Sequence, residues 1–144
     1  MPRFLDPALI VAALAPLVPE TVAEVVEFTA ASRADPARAA PKWPRISVVA
    51  ERTAAMPPRG ISDSGAVEET ILLLVQVRTQ SVTVADAAAM TSMLDIRDAI
   101  YAALQGVAVI PGWKPPRYAG GQLVGVDSDA IYTWGDRYIL PRLC

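Results

Sequence analysis

Residues 67–79 read VEETILLLVQVRT, and this stretch restricts the fold more than any other. Val67, Glu69, Ile71, Leu73, Val75 and Val77 alternate onto one face, the period-2 signature of a β-strand. Leu72 and Leu74 are apolar on the other face. The middle of the strand is therefore expected to be buried on both sides, as in a central strand. Such a strand needs partners along its edges and a packed layer over its apolar face.

The rest of the chain offers those partners. Asp6-Pro7 is a helix start, with Asp as N-cap and Pro in the first turn. Leu9, Ile10, Ala13, Leu14 and Leu17 then share one helical face, and Pro16 and Pro19 end the helix. Residues 21–29 are ambiguous. Val22, Val25 and Val26 suit a helix, Val22, Val26 and Phe28 suit a strand, and the β-branched content favours the strand. Residues 32–44, rich in Ala, Pro and Arg, read as a loop. Residues 45–52 form a short strand with Ile46, Val48 and Ala50 on one face. Residues 53–66 hold Pro57-Pro58, Gly60 and Gly65 and read as a long, flexible connection.

Residues 86–105 form a second helix with Met93, Ile96, Ile100 and Leu104 as its apolar stripe. Gly106 is its C-terminal stop. Asp95 and Asp98 point away from the stripe, and Met90 and Met93 are core filler. Residues 107–116 are a proline-bounded connection carrying Trp113. With no internal repeat and no linker, the 144 residues read as one domain.

The stretch RYAGGQLVGVDSDAIYTWGDRYIL, residues 117–140, pairs Gly120 with Gly121 and could be taken for a phosphate loop. A phosphate loop needs its glycines between a strand and a helix N-terminus. Here Gln-Leu-Val-Gly-Val-Asp follows, and no helix. Asp127-Ser128-Asp129 is turn chemistry. The next strand puts Tyr132, Trp134 and Tyr138 on one face and Ile131, Thr133 and Ile139 on the other. This is a hairpin, and a glycine inside its strands marks a bulge or a close approach.

Composition removes several chemistries. The chain is 53% hydrophobic and 19% charged, with a net charge of −2. Arg33, Arg38, Lys42 and Arg45 are interrupted by Asp35 and read as a solvated loop. Nothing matches a broad nucleic-acid grip, and too few basic residues surround Tyr132 and Trp134 for base stacking. Histidine is absent, and the one cysteine is Cys144. The usual general base, Cys–His nucleophiles and zinc sites of the Cys/His kinds are thereby excluded. Oxygen-ligand sites for magnesium or calcium stay open.

No Gly-x-Ser-x-Gly elbow occurs. Asp95 and Asp98 lack a facing carboxylate, since Glu68 and Glu69 point to opposite faces of a strand. No catalytic residue, metal ligand or cofactor is expected. Residues 8–14 are apolar but far short of the ~20 residues of a membrane span. They read as a buried helix in a soluble, cytoplasm-made protein with no membrane partner.

The order helix, three strands, helix, hairpin resembles a family of small proteins of Mu-like and related tailed phages and prophages, the tail terminators or tail-completion proteins. The resemblance covers roughly residues 94–139. Its elements are a helix whose pattern begins hydrophobic-x-x-Arg-Asp (Arg97-Asp98), Gly112-Trp113, Tyr118-Ala119-Gly120-Gly121, the acidic turn of Asp127 and Asp129, and the aromatic strand Tyr132-Thr133-Trp134. The resemblance implies an α+β fold, an antiparallel four- to five-stranded sheet with two helices packed on one face.

It also implies a structural virion protein with no enzymatic activity, assembled in the host cytoplasm into a hexameric ring at the head-proximal end of the tail tube. Implied partners are further copies of itself, the tail tube protein, the head–tail connector and the tail sheath, with DNA passing through the lumen without specific binding. A ring subunit uses heterologous contacts. The candidate interface residues are Met56, Arg59, Ile61, Trp113, Tyr132 and Trp134, with 53–66 as an arm. The alternative is a small-molecule-binding or regulatory α+β homodimer with a pocket lined by Trp113, Tyr118 and Trp134.

Overall fold

The computed structural model describes residues 4–28, 41–55, 67–108 and 110–142. Its centre is the strand that the alternation demanded. β3 (Val67–Arg78) lies between β2 (Arg45–Ala55) and β5 (Ile131–Pro141). β1 (Glu24–Glu27) and β4 (Arg117–Val126) close the two edges, giving a five-stranded sheet of order β1-β2-β3-β5-β4. β2, β3, β5 and β4 pair antiparallel, while β1 pairs parallel to β2, so the sheet is mixed rather than wholly antiparallel. Parallel neighbours need a crossover connection, and the chain between β1 and β2 supplies the length for one.

Two helices pack on one face, α1 (Pro7–Leu14) against β1 and β2, and α2 (Ala87–Leu104) against β3. Both start on an aspartate. Asp6 accepts from the N–H of Ala8 at 3.0 Å. Asp86 accepts from the N–H of Ala89 at 2.7 Å and of Gln80 at 2.9 Å. Its own N–H donates to Thr79 Oγ1 at 2.9 Å, and the Thr79 hydroxyl donates back to Oδ2 at 3.2 Å. These bonds satisfy donors that a helix start leaves free. They also hold the Asp86 carboxyl below its ordinary range, the Ala89 amide foremost.

The core lies between the helices and the sheet. Met93, Ile96, Ile100 and Leu104 are buried as the stripe requires, over Ile46, Val48, Ile71, Leu73 and Val75. Ile10 and Leu14 are fully buried, and no described helix is long and apolar enough to cross a membrane.

Four expectations change. Leu72 and Leu74 are half-buried, because the helices cover only the other face of β3. Met90 and Leu9 are exposed, each off the contact line of its helix. Ala50 is exposed beside a register shift between Ala50 and Arg52. Residues 53–55 belong to β2 rather than to a connection, and 56–66 lie outside the described residues.

Candidate functional site

The alternation along β5 sets Tyr132, Trp134, Asp136, Tyr138 and Leu140 on the helix side, opposite Val77, Val75, Leu73, Ile71 and Glu69 of β3. Asp136 is the one charged residue of β5 on that face, a carboxylate among aromatic and apolar neighbours. A buried carboxylate of this kind requires a cation and hydrogen bonds. α2 has a single basic residue, Arg97, one step from Ile96 on the buried stripe, and it reaches down to β5.

Arg97 Nε donates to Asp136 Oδ2 at 2.8 Å, and Nη2 donates to Oδ1 at 3.0 Å, a bidentate pair whose carboxylate side chain is 3% exposed. The Tyr118 hydroxyl, on β4, donates to the same Oδ1 at 2.9 Å and accepts from Arg97 Nη2 at 3.3 Å. The guanidinium stacks 4.3 Å over the Trp134 ring. One helix and two strands are thus tied at a single carboxylate.

The glycine pair belongs to this knot. Gly120 has φ +104°, a left-handed conformation that side chains resist, and it sits at the register shift between Tyr118 and Gly121. Gly121 faces Asp136 across the ladder. A Cβ there would overlap Asp136 Oδ1 and lie 2.8 Å from Trp134 Nε1 and 2.9 Å from the Tyr118 hydroxyl. The double glycine makes a bulge and a close approach, as strand glycines do. Trp134 Nε1 is buried beside it without a hydrogen-bond partner among the described residues.

The electrostatics match the geometry. The hydrogen bond to Asp136 raises the Arg97 pKa further above its already high value. Burial, and then the bond to Asp136, raise that of Tyr118. Burial raises that of Tyr138 strongly, with the Asp136 charge adding to it. All three groups keep one protonation state across the neutral range. The knot holds elements in place.

Above the knot a cleft of about 210 Å³ opens between α2 and β4–β5. Leu94, Asp98 and Tyr101 of α2 form one wall, and Tyr118 and Tyr138 of the sheet form the other. Tyr118 meets Tyr101 edge-on at 5.9 Å and Tyr138 at 5.4 Å. On the face without helices a second bidentate pair joins Arg137 to Glu51, both contacts at 2.8 Å, across β3. Among the described residues no cluster of three or more Asp, Glu or Cys side chains could hold a metal ion.

The six candidate interface residues separate. Trp113 and Tyr132 are 6% and 9% exposed and spend their surface on the chain's own core. Trp134 is partly buried under Arg97. Met56, Arg59 and Ile61, with the rest of the arm, lie outside the described residues. Of the three residues expected to line a pocket, Tyr118 borders this cleft and neither tryptophan does.

Asp127 and Asp129 occupy the hairpin turn. Asp127 Oδ1 accepts from the N–H of Asp129 at 2.9 Å and of Ile131 at 3.1 Å, the work of a turn residue. Asp136 was missed by sequence reasoning. Its signal was present: one acidic residue on an aromatic face, with one arginine on the covering helix.

The model of a family described as Phage tail terminator protein matches residues 1–141 of this chain. A search of curated proteins finds no match.

Proposed function

The chain belongs to the phage tail terminator family, and on that premise we propose that it closes the head-proximal end of a tail tube as a homo-oligomeric ring. Membership gives it a structural role in a phage tail. The ring stops tube growth and presents a surface to the head connector, with the tube protein beneath it and, in a contractile tail, the sheath beside it. Assembly takes place in the host cytoplasm, and the finished location is the tail and neck of the virion.

The observation that carries this reading is the family match over nearly the whole chain. The site geometry supports it. The motif residues Arg97, Tyr118 and Gly121 meet at Asp136 and fix a helix to a sheet edge. That is the use of a motif in a building block. The chain supplies no catalytic step in this role. We expect no nucleotide to bind at micromolar concentration, and one that does would count against the reading.

DNA passes through the lumen without being gripped. A chain with 13 basic and 15 acidic residues can line a hole with mixed charge and leave DNA mobile. Each neutralised phosphate would add affinity through counterion release and slow passage. The deciding experiment is tail assembly with and without this protein, followed by electron microscopy. Tubes of controlled length with a ring at one end are expected when it is present. Tube lengths and ends that do not depend on it would refute the reading.

A further inference from the structure

α2 is apolar on two sides. Met93, Ile96, Ile100 and Leu104 face the core, yet Met90, Leu94 and Tyr101 are between 49% and 58% exposed. Their spacing sets these three on one stripe along the helix, apart from the buried one. Asp98, one turn after Leu94, falls in the same stripe, and Asp95 lies beside it. Both carboxylates are exposed, and neither has an ion-pair or hydrogen-bond partner among the described residues. Arg97, the single basic residue of the helix, is spent on Asp136. The outer side of α2 is therefore an apolar stripe with uncompensated negative charge, and a second apolar stripe on a helix calls for a second cover.

The sheet face without helices has the opposite charge. Directly paired strand residues share a face, so the register assigns it. Thr70, Leu72, Leu74, Gln76 and Arg78 of β3 lie there. Arg52 pairs with Thr70, Thr70 with Ile139, and Ile139 with Arg117. Arg52 and Arg117 thus stand at the two ends of one row across four strands. These two and Arg78 are exposed, with no ion-pair partner among the described residues. The other arginines of this face are matched, Arg45 by Glu24 and Arg137 by Glu51. Among the strand carboxylates described here, Glu68 alone is left on this face without a cation. The middle of the face is apolar. A Cβ at Gly135 would lie 3.1 Å from Leu72 Cδ1, 3.5 Å from Leu74 Cδ2 and 3.9 Å from Val124 Cγ2, so three apolar side chains converge over bare backbone.

The two surfaces complement one another in charge, apolar content and size. The 18 residues of α2 span ~27 Å. The 12 residues of β3 span ~40 Å, long enough to seat such a helix. A helix laid on the bare face would turn two layers into three, with helices on both sides of the sheet. One copy cannot lay its own α2 there, because α2 already packs on the other face. Two different patches that meet between copies make a head-to-tail contact, the kind that closes into a ring when the rotation permits.

We infer that the outer stripe of α2 packs on the bare sheet face of a second copy of this chain. The contact rests on the ring reading above and names its subunit interface. Met90 and Leu94 lie over Leu72, Leu74 and Val124, and Asp95 and Asp98 lie against the unmatched arginines.

The test uses the full chain with tail tubes and follows ring formation by mass photometry. Asp95→Lys with Asp98→Lys is expected to weaken assembly at least about tenfold by setting like charges together, and so is Arg52→Glu with Arg117→Glu. All four side chains are exposed, so the melting temperature of the isolated chain should stay at the wild-type value. The four changes combined in one chain should restore assembly, which a merely structural role would not do. A photoreactive amino acid in place of Leu94 is expected to cross-link to residues 70–78 or 117–139 of another copy. Rings that form equally well with either pair reversed overturn the inference and leave the ring reading standing. So does a combined variant that fails to recover, and so do cross-links that run into a different protein. A wild-type protein that stays in single copies on capped tubes overturns both.

Discussion

Asp136 governs the most at the residue scale, because a carboxylate so nearly sealed from water depends wholly on its partners. Removing Arg97 leaves that charge without its cation. Arg97→Ala should cost about 3 kcal/mol, the low end for a broken buried pair, since the Arg97 side chain is itself 21% exposed. Replacing both residues by apolar ones, Arg97→Met with Asp136→Leu, should recover most of the loss. Urea titrations of the three variants would decide this, and a double variant as weak as the single would show the pair is not the source. Gly121→Ala should cost about 1–3 kcal/mol through overpacking against the Tyr118 hydroxyl and Trp134 Nε1.

The same knot gives an alkaline signature. Burial raises the Tyr118 and Tyr138 pKa values above the ordinary tyrosine value of 10.0, so the folded state favours the neutral phenols. Their contribution is complete below pH 10, where the unfolded chain also holds its protons. It is lost as pH rises beyond that towards the folded values. Urea midpoints measured from pH 9 to 11.5 should fall, and the fall should be shallower in Tyr138→Phe. An equally steep fall in that variant would assign it to other groups.

At the scale of elements, α2 presents two sides with different duties. Ile100 is fully buried beneath it, and Ile100→Ala should cost ~2–5 kcal/mol. Leu94 and Asp98 lie on the flank that opens to the cleft. Leu94→Ala and Asp98→Ala should each stay within about 0.5 kcal/mol of wild type in the isolated subunit. A larger loss from Asp98 than from Ile100 would mean that the helix is rotated from the position described. The start of α2 has a signature on the acid side. The amides of Ala89 and Gln80 lower the Asp86 pKa below 3.8. Its contribution is therefore present above that value and lost as pH falls through the folded one. Asp86→Ala should flatten the loss of stability measured by thermal melts between pH 5 and pH 2.

Across the whole molecule, the division of labour is between a face that is filled and edges that are not. Both helices cover one side of the sheet, and Leu123 and Val124 of the edge strand β4 are exposed. Duplex DNA binding by the isolated protein should be weak at physiological salt, no tighter than ~10⁻⁴ M. Submicromolar, steeply salt-dependent binding in a fluorescence titration would overturn the proposed passive lumen. Trp113 gives a control at this scale. It is buried in the core and bridged to Arg142, so Trp113→Ala should cost ~3–5 kcal/mol and abolish assembly only by unfolding the subunit.

Local periodicity alone determined the elements. The alternation of residues 67–78 and 131–140 assigned two strands and the faces of their side chains, because successive strand residues point to opposite sides wherever the strand goes. The stripe of Met93, Ile96, Ile100 and Leu104, the Asp6 cap and the strand glycines were legible for the same reason: each acts within a few residues of itself. The tertiary structure decided what lies across the chain. Arg97 and Asp136 are 39 positions apart, and no local pattern joins them until α2 is laid over β5. The parallel pairing of β1 depends on the path of its connection, which strand composition does not record. Leu72 and Met90 look like core in the sequence and are not, because hydrophobicity says what a side chain favours and only packing says whether a second layer arrives to cover it.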